Sequence, residues 1–274
     1  MLGKLIKYEF RATGRSMLPA LGVLTLLVLM ANVSVRLLDS RAGSFLTVLL
    51  LLVLMAAFIA VVAAELMPII LMIQRFHKNL LSNEGYLMHT LPVSVHALVW
   101  SKLIVSLVWL LLTNLIIVLL GGLSVMHLLQ MNLGDLLNGL PSAEEIREAL
   151  SAVGVSAGQM YLALAEIALS IVLSGLVSCL HFYAAMSLGH TFTRRKGLMS
   201  VLCFVGIIFV INLVTNTLGL SGVKHLSAVG IDSFRAGLQV AQGTMGLGIL
   251  YTLAQGALLY AATVLGLKKG LNLE

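Results

Sequence analysis

Six apolar stretches, at residues 17–35, 43–73, 103–125, 161–188, 198–218 and 247–267, are each about as long as a bilayer crossing. A helical crossing takes about 20 mostly apolar residues. Only helices and closed barrels satisfy every backbone polar group in lipid, and these runs lack the alternating pattern of barrel strands. With 10% charged residues and a mean hydropathy of +1.05, the chain is too apolar for a soluble domain. The sequence therefore predicts an all-α integral membrane protein with six transmembrane helices in one domain, residues 1–274.

The basic residues set a direction. With the N-terminus inside, Lys4, Lys7, Arg11, Arg15, Arg75, Lys78, Lys102, Arg194, Arg195, Lys196, Lys268 and Lys269 fall on the cytoplasmic side. Arg36, Arg41, Arg147, Lys224 and Arg235 fall outside, 5 against 12. The positive-inside rule then puts both termini in the cytoplasm. The net charge of +6 reads as anchoring against an anionic inner leaflet, not as a nucleic-acid signal. The first apolar run is long and has no clear small-x-small site after it, so it reads as a span and not as a cleaved signal. Cys179 and Cys203 lie inside spans and read as small buried hydrophobes.

Between the spans the sequence draws four further features. Residues 1–16 form an amphipathic helix predicted to lie in the inner interface. Lys4, Lys7, Arg11 and Arg15 share one face of it, and Leu2, Leu5, Ile6 and Phe10 share the other. Glu9 sits among the apolar residues. An unpaired carboxylate there is costly, so an ion pair with Arg75, Lys102, Arg194 or Arg195 is expected. The second span runs 31 residues, about 46 Å as a straight helix. It must tilt, break or project, and Pro68 offers a bend. Residues 75–102 form a cytoplasmic elbow that turns at Pro92, with Ser94 capping the helix into the third span. Residues 126–160 form an external loop with a short acidic helix opened by a Ser142–Glu145 capping box. Residues 219–246 are expected as a re-entrant helical hairpin in the outer leaflet.

The motifs that carry bond chemistry are missing. No G-x-x-x-x-G-K-[ST], H-E-x-x-H or G-x-S-x-G occurs, and the seven histidines lack ligand spacing. The chain reads as no enzyme and holds no metal. Glu65 and Glu166 are the only carboxylates in the spans, and both should sit near an interface. Asn212, Thr215 and Asn216 form a polar stripe on the fifth span, which can line a pathway or bond a neighbouring helix. Ser170, Ser174 and Ser178 recur every four residues on the fourth span, a spacing that favours close helix packing.

These residues also resemble a known family. The opening Lys4-Leu5-Ile6-Lys7-Tyr8-Glu9-Phe10-Arg11 is similar to the N-terminal connecting helix of the permease subunits of ABC type-2 exporters. The string from Asn83 to Ser94, with Glu84, Leu91-Pro92-Val93-Ser94 and then Ser101-Lys102, is similar to their coupling region. Six spans and an outer hairpin before the last agree with that family over essentially the whole chain. The resemblance implies a bacterial cell membrane protein that exports a substrate from the cytosol or inner leaflet. It implies that Asn83, Glu84, Gly85, Tyr86 and Leu87 dock on a separate cytosolic ABC ATPase dimer. It further implies that Phe58, Asn212, Thr215 and Asn216 line a substrate path shared with a second permease, identical or related. The chain itself would hold no cofactor; ATP and Mg would belong to the ATPase. Two other readings stay open at this point. One is a secondary transporter, which needs a coupling-ion site near the midplane. The other is a non-transporting sensor or immunity component using the same fold and an ATPase.

Overall fold

The computed structural model describes residues 2–38, 44–82, 93–128, 142–152, 155–192, 195–217 and 234–269. Among these, regular structure is entirely helical. Seven α-helices follow one another: α1 (Leu2–Leu38), α2 (Ser44–Phe76), α3 (Val95–Leu128), α4 (Ala143–Ala152), α5 (Ala157–Gly189), α6 (Lys196–Thr217) and α7 (Phe234–Lys269). All but α4 are long and apolar enough to cross a membrane. A five-residue π-helical turn, His77–Leu81, follows α2.

Helix boundaries differ from the sequence reading in two places. The amphipathic segment and the first span are one 37-residue helix, roughly 55 Å long at 1.5 Å per residue. Residues 2–16 thus extend α1 instead of forming a separate interfacial helix. Pro19 is accommodated inside α1 and Pro68 inside α2; each removes one helical donor, yet neither ends its helix. At the other end of the chain, residues 234–246 are the opening turns of the 36-residue α7. The rest of the expected hairpin, residues 219–233, lies outside the described residues.

The chain divides into two compact units. The first comprises Met1–Gln74 and Trp100–Leu140, the second Arg75–Val99 and Pro141–Glu274.

In the first unit, Met17, Leu21, Leu24 and Val28 mark one face of α1 at helical spacing and bury against Ala64 of α2 and Val105 and Trp109 of α3. Ile6 and Phe10 join the same cluster, and the Phe10 and Trp109 rings lie 5.7 Å apart. The apolar face of the amphipathic segment is thus spent partly on helix packing. Its four cations are exposed. Polar groups within this core are bonded: Trp109 Nε1 donates to Thr13 Oγ1 at 2.9 Å, and Thr13 donates to the Glu9 carbonyl at 2.8 Å. Asn32 Nδ2 reaches the Leu120 carbonyl at 3.2 Å and so ties α1 to α3 further along.

In the second unit, α5 packs against both α6 and α7. Ser156 opens α5 with a capping box: its hydroxyl accepts from Gln159 N–H at 3.2 Å, and Gln159 Oε1 accepts from Ser156 N–H at 3.0 Å. Contacts between α5 and α7 advance together along both chains, from Gln159 with Gln242 to Val177 with Gly256 to Ser187 with Gly266. The two helices are therefore parallel. Small residues allow this approach. A Cβ on Gly256 would stand 3.1 Å from Val177 Cγ2, and one on Gly266 would strike the Ser187 hydroxyl. The serine stripe does not supply this contact. Ser170, Ser174 and Ser178 return their hydroxyls to carbonyls of their own helix at 2.7, 3.0 and 2.8 Å, and the last two are exposed.

Antiparallel to α5, α6 joins it tightly at Gly189, where an added Cβ would overlap the Ser200 backbone. Because main chain cannot yield as a flexible side chain does, Gly189→Ala is expected to cost about 1–3 kcal/mol by overpacking. Melting of the purified variant in detergent checks this, and a melting temperature equal to the parent's would contradict it.

The acidic helix α4 has the predicted cap. Glu145 Oε2 accepts from Ser142 N–H at 2.7 Å, and Ser142 Oγ accepts from Glu145 N–H at 3.2 Å.

Candidate functional site

The five residues expected to couple to an ATPase, Asn83 to Leu87, lie outside the described residues, as does all of 83–92. The chain on either side of them is built in detail and belongs to the second unit. On the entering side, α2 ends and the backbone widens into the π-turn, with Asn79, Leu80 and Leu81 buried. Turns of this kind are rare and often mark functional positions. Phe76, fully buried, stacks on Tyr183 of α5 with ring centroids 4.2 Å apart. Next to it, His77 meets His190 edge to face at 5.2 Å.

On the leaving side, Ser94 caps α3, its hydroxyl accepting from Ala97 N–H at 3.3 Å. At the second residue of α3, His96 Nδ1 lies 2.7 Å from the Tyr260 hydroxyl, and Lys268 Nζ lies 3.4 Å from His96 Nε2. Lysine can only donate. Nε2 therefore accepts, and the ring proton sits on Nδ1, pointing to Tyr260. One stem of the 83–92 segment is thus seated on α5 and the other on α7.

His190, which terminates α5, donates from Nδ1 to the Met186 carbonyl at 2.9 Å. Burial pushes its pKa below the ordinary histidine value; the Met186 bond opposes this, and the nearby His77 and Lys196 charges add to it. A histidine depressed in the folded state is protonated more readily once unfolded. Stability is therefore full above the unfolded value of about 6.5 and falls as pH drops through it. Melting temperature is expected to decline between pH 7.5 and 5.5, with a smaller decline for His190→Gln. Identical pH profiles would contradict this role.

Inside the apolar stretch, the fifth-span residues do not act as one stripe. Thr215 turns toward α7, its hydroxyl 2.9 Å from the Tyr251 hydroxyl. Asn212 and Asn216 are exposed, and Asn212 Nδ2 donates to the Ile208 carbonyl of its own helix at 2.9 Å. Asn212 also lines a cavity of about 320 Å³ between α5 and α6, with Ser178, His181, Phe182, Phe204, Ile208 and Ile211. The stacked Phe182 and Phe204 rings, 4.7 Å apart, wall one side. His181 is held by Gln255 of α7, whose Nε2 lies 2.9 Å from His181 Nε2. Phe58 is in the first unit and is 70% exposed.

His181, Gln255 and Tyr251 were not picked out by sequence. Looking for metal spacing passes over the histidines; the signal that finds His181 and Gln255 is simply a polar side chain deep inside a span. The π-turn left no sequence signal at all.

In the first unit, Glu9 Oε2 lies 3.2 Å from Lys102 Nζ, and the two side chains are 13% and 6% exposed. Of the four cations considered for Glu9, Lys102 is the one found beside it among the described residues, and Arg194 lies outside them. Lys102 stands two turns before Trp109 on α3, so the same face of α3 also reaches Thr13.

No family model, curated protein or solved structure matches this chain. What stands plainly is a multi-pass helical membrane protein with six helices able to span a bilayer.

Proposed function

We propose that this chain is the permease subunit of an ATP-driven exporter, working with a separate cytosolic ATPase dimer and a second permease. In this reading the basic ends of the helices face the cytoplasm, and residues 83–87 dock on the ATPase. The observation that carries it is the anchoring of both stems of the 83–92 segment. Phe76 on Tyr183 and His77 on His190 fasten one stem to α5. His96, held between Tyr260 and Lys268, fastens the other to α7. A push on the segment would reach two spans at once as rigid-body rocking, the coupling that an exporter without its own nucleotide site requires. The α5–α6 cavity adjoins the moving helices. It joins a carboxamide and an imidazole with aromatic and aliphatic walls, which suits an amphiphilic substrate entering from the bilayer.

The test is Asn212→Cys in a chain whose Cys179 and Cys203 have been replaced by alanine. The new thiol should react with a small membrane-permeant maleimide. Its rate is expected to change at least fivefold when the ATPase is trapped with nucleotide. An unchanged rate would contradict a path through this face.

A further inference from the structure

Asn212 is an exposed carboxamide in the apolar helix α6, and it opens on the cavity between α5 and α6. Both helices belong to the second unit. At about 320 Å³ the cavity is at the lower end of ligand-pocket size. It has room for a headgroup, not for a whole lipid.

The hydrogen bonds around it define what that headgroup must offer. A carbonyl oxygen can only accept, so every bond to one fixes a proton. Asn212 directs one N–H of its Nδ2 to the Ile208 carbonyl at 2.9 Å. Its second N–H and its Oδ1 remain for the cavity. Ser178 donates to the Ser174 carbonyl at 2.8 Å and presents an accepting oxygen. His181 bonds the Val177 carbonyl, which places the ring proton on Nδ1. Its Nε2 then accepts from Gln255 Nε2 at 2.9 Å, so both ring nitrogens are occupied. The described lining thus combines a donor with two accepting oxygens, and none of its residues is Asp, Glu, Lys or Arg.

We infer that this cavity binds an uncharged hydroxyl headgroup carried on an apolar chain. A hydroxyl both donates and accepts. It can give its proton to Asn212 Oδ1 or Ser178 Oγ and accept from Asn212 Nδ2. An ammonium can only donate and a carboxylate can only accept, and either would enter a span beside no opposite charge, which is costly. An ether can only accept, and the two oxygens would gain nothing from it. The apolar chain has a track beside the cavity. Ile208, Val205 and Val201 continue the Asn212 face of α6 at helical spacing, and all three are exposed. The source is either an acylglycerol or a simple fatty alcohol. The inference narrows the amphiphilic substrate proposed above and rests on that reading for the ligand's transport. Binding is measured without an ATPase, so its failure and the failure of the exporter reading are separate results.

The test uses the full chain in phosphatidylcholine nanodiscs, melted with monodecanoylglycerol, its di-O-methyl ether, decanol, decylamine or decanoate at equal concentration. A ligand that binds only the folded state raises the melting temperature in proportion to its saturation. Monodecanoylglycerol is expected to bind about fivefold more tightly than its methylated form, the worth of about one neutral hydrogen bond. The two charged probes should show no such gain. That preference should vanish in Asn212→Leu and in Ser178→Leu, which fills the recess. It should persist in Asn114→Leu, which removes an exposed asparagine of α3 with the same kind of bond to its own helix, at 3.0 Å. Decanol separates the sources: if it matches monodecanoylglycerol the ligand is a simple alcohol, and if it falls short the ligand is a glyceride. Position is read from Ser178→Cys in a chain with Cys179 and Cys203 replaced by alanine. Monodecanoylglycerol should slow its reaction with maleimide, and the methylated form should not. Equal binding of the hydroxyl and methylated probes, a preference that survives in Asn212→Leu or Ser178→Leu, or tighter binding of decylamine or decanoate would overturn the assignment. So would a spontaneous disulfide between two Ser178→Cys chains, which would give this face to a second copy.

Discussion

Replacing Tyr86 with aspartate is expected to abolish recovery of a soluble ATPase with this chain, at least a tenfold loss, while membrane insertion stays intact. The physical ground is the composition of the segment. Tyr86 and Leu87 sit in a basic loop, too polar around them to stay in the bilayer. Aromatic anchors at the centre of an interface commonly carry 2 kcal/mol or more when truncated, and each 1.4 kcal/mol is about tenfold in affinity. A carboxylate at such a position adds desolvation to the lost contact. Insertion depends on the six apolar helices, none of which contains residue 86. Quantitative pull-down from solubilised membranes is the measurement, and undiminished ATPase recovery would remove residues 83–87 from the coupling role.

Breaking the Glu9–Lys102 pair from one side is expected to be the most damaging single change in the first unit. The pair is 3.2 Å apart, with both side chains largely buried. Removing one member leaves the other as a buried, poorly compensated charge, which typically costs about 3–5 kcal/mol, against about 0–1 for an exposed pair. Glu9→Gln and Lys102→Met should each lower the melting temperature of the purified chain markedly, and Glu9→Asp should do less harm. The double variant should lose clearly less than the two singles together, because neither charge is then stranded. Additive losses, or a Glu9→Gln protein as stable as its parent, would reduce Glu9 to an edge residue.

Much of the scaffold is written in hydropathy. Length and apolar composition mark all six long helices, since the bilayer requirement acts on whole segments and tolerates local detail. Caps were also legible, because Ser94, Ser142 and Glu145 need only their neighbours in sequence. Helix continuity was not. Changes in polarity at residues 17 and 246 mark where a chain meets a different environment, and a helix can pass through such a point unbroken, as α1 and α7 do. The site was legible only where charge balance forced a partner, as at Glu9. Which cation stands beside it depends on tertiary register. So does the turning of Thr215 toward Tyr251 while Asn212 faces the α5–α6 cavity. The serine stripe misled for a related reason. Regular spacing identifies a face but not what that face meets, and α5 approaches α7 through Val177 and Ser187 against glycines.

The most direct measurement is affinity purification of the wild-type chain from its own membranes in mild detergent, with mass spectrometry of what comes with it and assay of ATP hydrolysis by the eluate. The account predicts a soluble ATPase bearing a P-loop, in amounts equal to the chain, and hydrolysis that depends on magnesium. A chain recovered intact and folded, without any nucleotide hydrolase, would contradict it.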